Sequence, residues 1–250
     1  MKKGLFLILV SSALAAGACK KKGCMDTTAV NYNSEAKKDN ASCQYLPIIT
    51  LNGASTVSIT VGSTYEDAGA TAKNKDGSAV SVSSNVSAVN TAQTGTYTVT
   101  YTATNDNGTT TATRTVNVVI GQDNWLGNWI LTHDCAASFP LSNSPTVTVG
   151  ATTDAITIDG MFSISIPSIP LILPDGLVIA EDGTANATVN GSNIIINSQV
   201  YDVMGVGSIT YSGTGTMNAL GTQFTIEFTY NNSLPGIGGS GTCTALYTKQ

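Results

Sequence analysis

Charge is scarce in this chain. Only 11% of its 250 residues are Asp, Glu, Lys or Arg, and His133 is the single histidine. Basic residues are scarcest where a polyanion would need them: residues 46–250 hold four (Lys73, Lys75, Arg114, Lys249) against thirteen acids, a balance of −9. Phosphate binding needs clustered Lys and Arg, so nucleic acid is excluded as a partner. One histidine cannot complete a zinc site, which takes three or four His, Cys or acidic ligands, so no metal and no cofactor is expected. His133 stands beside Asp134 and Cys135, but a Cys–His nucleophile pair needs a free thiol, and strand alternation turns Asp134 away from the other two. None of Asp154, Asp159, Asp175 or Glu181 sits in a setting that suggests paired hydrolytic carboxylates. No catalytic residue is assigned and the chain is read as a non-enzyme. Long apolar runs are missing after the N-terminus, because Ile164–Ala180 is broken by Pro167, Pro170, Pro174 and Asp175 and cannot form a spanning helix.

What the chain does have begins with an address. Lys2 and Lys3 precede an uncharged, mostly apolar stretch from Gly4 to Ala16, followed by small residues up to Cys19. That is the shape of a secretory signal and is too short to span a bilayer. The run Ala15-Ala16-Gly17-Ala18-Cys19 resembles a bacterial lipoprotein signal, with Ala16 where the family prefers Leu. The resemblance implies cleavage after residue 18 and a diacylglyceryl group on Cys19. An ordinary signal cleaved after Ala16-Gly17-Ala18 is the alternative. Cysteine arithmetic bears on the choice: of Cys19, Cys24, Cys43, Cys135 and Cys243, lipidation of the first leaves a local pair and a long-range pair. Acyl chains contribute about 0.8 kcal/mol per buried methylene, so two hold a protein to a membrane. The expected location is the cell envelope, lipid-anchored in the outer membrane and facing the periplasm or the surface. Lys20-Lys21-Lys22 would sit at the headgroups or serve as a solvated tether.

Residues 19–45 form the tether and a disulfide loop. Gly23-Cys24-Met25-Asp26, Ala29, Asn31-Tyr32-Asn33, Ala36, Asp39 and Ser42-Cys43-Gln44-Tyr45 resemble a short module of secreted bacterial proteins, with Asn40-Ala41 where that pattern carries Asp-Gly. A segment this small cannot bury a core, so a Cys24–Cys43 bridge is expected to hold it, worth roughly 3 kcal/mol for a loop of about 20 residues. Asp26, Asn31, Asn33 and Asp39 offer oxygens to a hard cation such as calcium, or cap turns.

Thr, Ser, Asn and Gly dominate the polar set, a strand-and-turn composition, and an all-β fold is expected. Residues 46–120 hold short alternating segments. The clearest is Thr96–Thr104, where Tyr97, Val99, Tyr101 and Ala103 alternate with threonines. Asn105-Asp106-Asn107-Gly108 is a turn signal with Thr111–Val119 as the returning strand, and Thr56–Val61 and Ala79–Val86 are further strands. With Gly62–Ala70 and Gly95–Tyr101, the stretch resembles the bacterial surface immunoglobulin-like family, also found in pesticidal crystal proteins. That implies a small β-sandwich used as spacer or adhesive module. Asp67, Asp76 and Asp106 are read as turn residues or, less simply, a calcium site.

Residues 122–250 carry about eight strand candidates: the opening Asn124–Thr132, then Thr146–Val149, Ala155–Ile158, Thr184–Val189, Ile194–Ile196, Gly207–Tyr211, Phe224–Tyr230 and Cys243–Tyr247. Asp159-Gly160, Asp182-Gly183 and Asn190-Gly191 are read as turns, and the whole as an antiparallel meander barrel. Cys135 follows the first strand and Cys243 lies in the last, so a Cys135–Cys243 bridge would fasten the barrel seam. Gly127-x-Trp129 is similar to the opening of lipocalin-like barrels, which implies a cup able to hold a small apolar ligand. A side-chain-filled barrel is the other possibility. Phe162–Leu173, apolar and Pro-rich, is either an exposed binding loop or an irregular edge over the barrel's open end. The functional expectation is a non-catalytic envelope lipoprotein in which the sandwich spaces a barrel that binds glycan, peptide or protein. The alternative is a small-ligand carrier, and a secreted hydrolase is third.

Overall fold

The computed structural model describes residues 20–170 and 173–250, so the signal segment and Cys19 lie outside the described residues. The chain divides into two compact units. One gathers the described residues up to Thr50 with Ala70–Ser83 and Thr102–Ala112; the other gathers Leu51–Gly69, Ser84–Tyr101 and Thr113–Gln250.

Little regular structure holds the disulfide loop. Strands β1 (Lys22–Gly23) and β2 (Lys38–Asp39) form one parallel pair, and Cys24 is bonded to Cys43. Ala41 adopts φ +56°, a left-handed conformation that costs a residue with a Cβ about 1–2 kcal/mol. That position is where the module pattern carries glycine.

The immunoglobulin-like stretch holds β3 (Ile48–Leu51), β4 (Thr56–Thr60), β5 (Ala70–Lys73), β6 (Ala79–Val80), β7 (Val82–Ser84), β8 (Gly95–Asn105) and β9 (Gly108–Val119). They form two sheets, β3-β5-β6 and β4-β9-β8-β7. The alternation in β8 buries Val99, Tyr101 and Ala103 and leaves the threonines between them at least partly exposed. The strand expected over Ala79–Val86 is instead two short ones in different sheets, followed by a 3-10 turn at Val86–Ala88. A chain that serves two sheets must break its ladder at the crossing, and Ser81 is where it does.

A short helix α1 (Gln122–Trp125) leads into β10 (Gly127–His133), β11 (Thr146–Val149), β12 (Ala155–Ile166), β13 (Leu177–Asn190), β14 (Asn193–Val203), β15 (Gly207–Met217), β16 (Gln223–Asn232) and β17 (Gly239–Lys249). These eight close into an antiparallel barrel in chain order. β10 meets β17 from Trp129 opposite Lys249 to His133 opposite Ala245.

Several strands run longer than the alternation indicates, because two expected turns are not turns. Asp159-Gly160 lies inside β12 and Asp182-Gly183 opposite it inside β13, at the first of two register shifts. Gly160 and Gly183 have φ of +67° and +79°. An Asp-Gly pair supplies the positive φ of a hairpin turn, but a bulge uses the same property. Asn190-Gly191 does form the expected turn, with Asn190 paired to Asn193. The run from Phe162 is likewise not an exposed loop at its start: Phe162, Ile164 and Ile166 are buried in β12. Beyond it, Ile169 and Leu173 exchange two backbone hydrogen bonds of 2.8 Å.

Candidate functional site on the barrel wall

Inward-facing side chains fill the barrel. One aromatic group centres on Phe224, with Tyr247 stacked at 4.2 Å and the Trp129 and Trp125 rings at 4.6 and 5.1 Å. The other centres on Phe139, stacked on Tyr230 at 4.6 Å and edge-on to Phe162 at 5.7 Å. Trp129, Phe139, Ile158, Phe162, Ile226, Ala245 and Tyr247 are each 0% exposed. A side chain beside a water-sized cavity keeps surface that water can touch, and these keep none, so they line no cup.

Cys135 is bonded to Cys243 across 108 residues, fastening the loop after β10 to β17. Its thiol is therefore not free to act as a nucleophile. His133 Nδ1 accepts the Cys135 N–H at 3.2 Å, while the Asp134 carboxylate accepts the Thr244 N–H at 2.6 Å. Asp134, Cys135 and Cys243 are a compact group of metal-ligand types, but two of the three sulfur and oxygen donors are spent in the disulfide.

Oxygens proposed for calcium in the small loop turn inward on their own backbone. Asp26 accepts from Thr28 N–H and Oγ1 and from the Tyr45 hydroxyl, Asn33 from Glu35 N–H, and Asp39 from Ala41 N–H. Asn31 bridges Gln44 N–H and the Ser42 carbonyl. The Thr28 backbone, Tyr45 and Thr28 Oγ1 bonds lower the Asp26 pKa to about 2. These are side-chain-capped turns. Asp76 caps Ser78 in the same way, and with Asp106 it lines a groove of about 460 Å³ that also contains Lys75.

Asp67 has a different partner, one that the sequence did not mark. Arg114, 1% exposed, pairs with the Asp67 carboxylate. It also donates to the Tyr101 hydroxyl at 2.7 Å, to the Ala54 carbonyl at 2.9 Å and to the Asn52 carbonyl. Tyr65 and Tyr101 donate to Asp67 at 2.8 and 2.6 Å. Burial pushes the Asp67 carboxyl up, but the bonds from Tyr101, Tyr65 and Arg114 outweigh it and the pKa falls. Every partner is satisfied, which is the condition for a buried pair to hold; the cluster is structural.

The feature that stands out on the barrel is a parted wall. β13 pairs with β12 from Leu177 to Thr188 but meets β14 at three residue pairs, Thr188–Asn190 against Asn193–Ile195. Beyond them β14 pairs with β15 alone among the described residues, after a register shift between Ile196 and Gln199. Side chains stand in for the missing ladder. The Gln199 carboxamide accepts the Asn186 N–H at 2.9 Å and donates to the Asn186 carbonyl at 2.6 Å. Tyr211 donates to the Thr184 carbonyl at 2.8 Å and Tyr201 to the Asp182 carboxylate at 2.7 Å. A groove of about 270 Å³ lies here, lined by Asn186, Ala187, Asn197 and Gln199 among others. The sequence carried no signal of this: Gln199 and Tyr201 fall on the outward parity of Ile195, and only the register shift turns them to the inward side of Ile194 and Ile196.

By architecture this is an all-β protein with an immunoglobulin-like stretch, a closed eight-stranded barrel and two disulfides. Residues 49–118 match the family described as bacterial surface protein, Ig-like domain. That description names a surface module rather than an activity, and it points to the cell envelope. No curated protein matches the chain. One similar solved structure is the lipoprotein BT2262 from Bacteroides thetaiotaomicron, 12% identical with a TM-score of 0.27, covering 81% of this chain and 100% of that one. A likeness of that degree does not define a shared fold. Among the described residues no helix is long and apolar enough to cross a membrane.

Proposed function

We propose that this chain is an exported, non-catalytic lipoprotein of a bacterial cell envelope, anchored through acyl chains on Cys19. Its immunoglobulin-like stretch spaces a barrel that binds glycan, peptide or protein through its outer wall. The observation that carries the reading is the packed interior. A barrel packed by inward side chains such as Trp129, Phe162, Ile226 and Tyr247, each 0% exposed, has its surface, and not a cup, to offer a ligand. The same observation weighs against a small-ligand carrier. The surface family matched by residues 49–118 supports the envelope and the spacer role. Two experiments test it. Cells fed a palmitate analogue are expected to label the wild-type protein and not Cys19→Ala; label that persists in the variant removes the anchor. The whole chain is expected to retain ligands from glycan and protein arrays, and an array without a hit removes the binding role.

A further inference from the structure

We propose that the seam between β13 and β14 is a docking edge for an extended, positively charged peptide segment of another protein, held by main-chain hydrogen bonds to β13. The inference rests on the reading that the barrel binds through its wall.

Hydrogen-bond chemistry comes first. The Asn186 N–H and C=O and the Thr184 C=O point across the seam, where a neighbouring strand would meet them, and instead they meet Gln199 and the Tyr211 hydroxyl. A primary amide presents a donor and an acceptor much as a peptide group does. Gln199 therefore occupies the place of one residue of an absent strand. A peptide that displaces it leaves no backbone group unpaired, which is the condition for strand addition to a sheet edge. Side-chain plugs also explain how an open edge persists without pairing indiscriminately.

Exposed apolar side chains border the same seam. Val178 on β13, Val200 on β14 and Met204 just past its end are 78%, 65% and 73% exposed. Alternate side chains of an added strand would cover such positions.

Charge sets the class of peptide. Glu181, Asp182 and Asp202 are exposed along the seam, and no Lys or Arg occurs between Asp134 and Thr248. The edge favours Lys- or Arg-bearing segments and repels acidic ones.

The probe is an acetylated, amidated hexapeptide of alternating valine and lysine, titrated calorimetrically into the whole chain. It is expected to bind, and Gln199→Ala is expected to tighten it about five- to ten-fold, since one net hydrogen bond no longer competes. The same peptide N-methylated at alternate amides should lose at least about ten-fold, and so should the parent peptide against Glu181→Lys. No binding of the parent peptide, equal binding of the N-methylated form, or unchanged or weaker binding by Gln199→Ala overturns the proposal. If the peptide fails while array ligands are still retained, the seam is wrong and the binding wall stands. If both are silent, both readings fall.

Discussion

Tyr247 offers a sharp test of how the barrel core is held. Its ring stacks on Phe224 at 4.2 Å and 11° and is 0% exposed, yet its hydroxyl has no hydrogen-bond partner among the described residues. A buried hydroxyl left unpaired costs about 1–3 kcal/mol in lost solvation. Tyr247→Phe removes that cost and leaves a void of roughly 10–15 Å³, which at about 24 cal/mol per Å³ costs about 0.3 kcal/mol. The variant is thus expected to be more stable by about 1 kcal/mol, a rise in Tm of about 2–4 °C for a chain of this size. Thermal and urea unfolding followed by near-ultraviolet circular dichroism measure it. Alkaline titration adds a second readout. Burial raises the Tyr247 pKa above its ordinary 10.0, so the neutral form is the folded one. Its contribution is fully present below pH 10 and is lost as pH rises beyond it. The wild type should therefore lose more stability than the variant in alkali. A Phe variant that unfolds below the wild type would mean instead that the hydroxyl has a partner worth keeping.

Acid is expected to strike the Arg114–Asp67 cluster. Because the Asp67 pKa is lowered from 3.8, its stabilisation is present above that value and lost as pH falls through the lowered one. Asp67→Ala, which leaves Arg114 buried and unpaired, should cost about 3–5 kcal/mol in denaturant unfolding; a loss under about 1 kcal/mol would show that the pair is not buried as described. Replacing Cys135 and Cys243 together by serine frees a loop of 108 residues and should cost on the order of 4–5 kcal/mol, read as a fall in urea midpoint against the wild type with Cys24–Cys43 intact in both.

The parts of this fold that sequence exposed are those governed by local alternation. Thr96–Thr104 reads as a strand because one face is apolar and the other hydroxyl-rich, and Asn190-Gly191 reads as a turn because its neighbours pair closely across it. Asp159-Gly160 and Asp182-Gly183 carry the same local chemistry and mean something else, since whether positive φ makes a hairpin or a bulge depends on the strand lying opposite. Arg114 gave no signal of its own, being one residue in a threonine-rich strand whose partners Asn52, Ala54, Asp67 and Tyr101 come from distant parts of the chain. The solid interior was beyond reach for the same reason: Gly127-x-Trp129 marks the start of a barrel equally well whether Phe139 and Phe162 fill its far end or leave it open.

The bulges and the seam are parts of one arrangement. Asp159 faces Thr184 and Ile164 faces Ile179, but between them β12 spends an extra residue at one shift and β13 at the next. The register is therefore the same on either side, and the two strands bend together while staying paired. β14 has its own shift between Ile196 and Gln199, opposite no matching irregularity in β13. Two strands that bend at different places cannot keep a ladder beyond the first divergence, and pairing between them stops at Thr188–Ile195. Tyr201 then closes the space, stacked on Phe162 at 5.0 Å and 14°. Gly183 makes room for it: a Cβ there would lie 2.8 Å from Phe162 and 3.2 Å from Tyr201. A glycine held at positive φ, a tyrosine turned to a carboxylate and a glutamine turned to a main chain all serve the same gap. Filling it with further ladder bonds would have needed none of them, which is why the seam reads as a built edge and not as a failure of barrel closure.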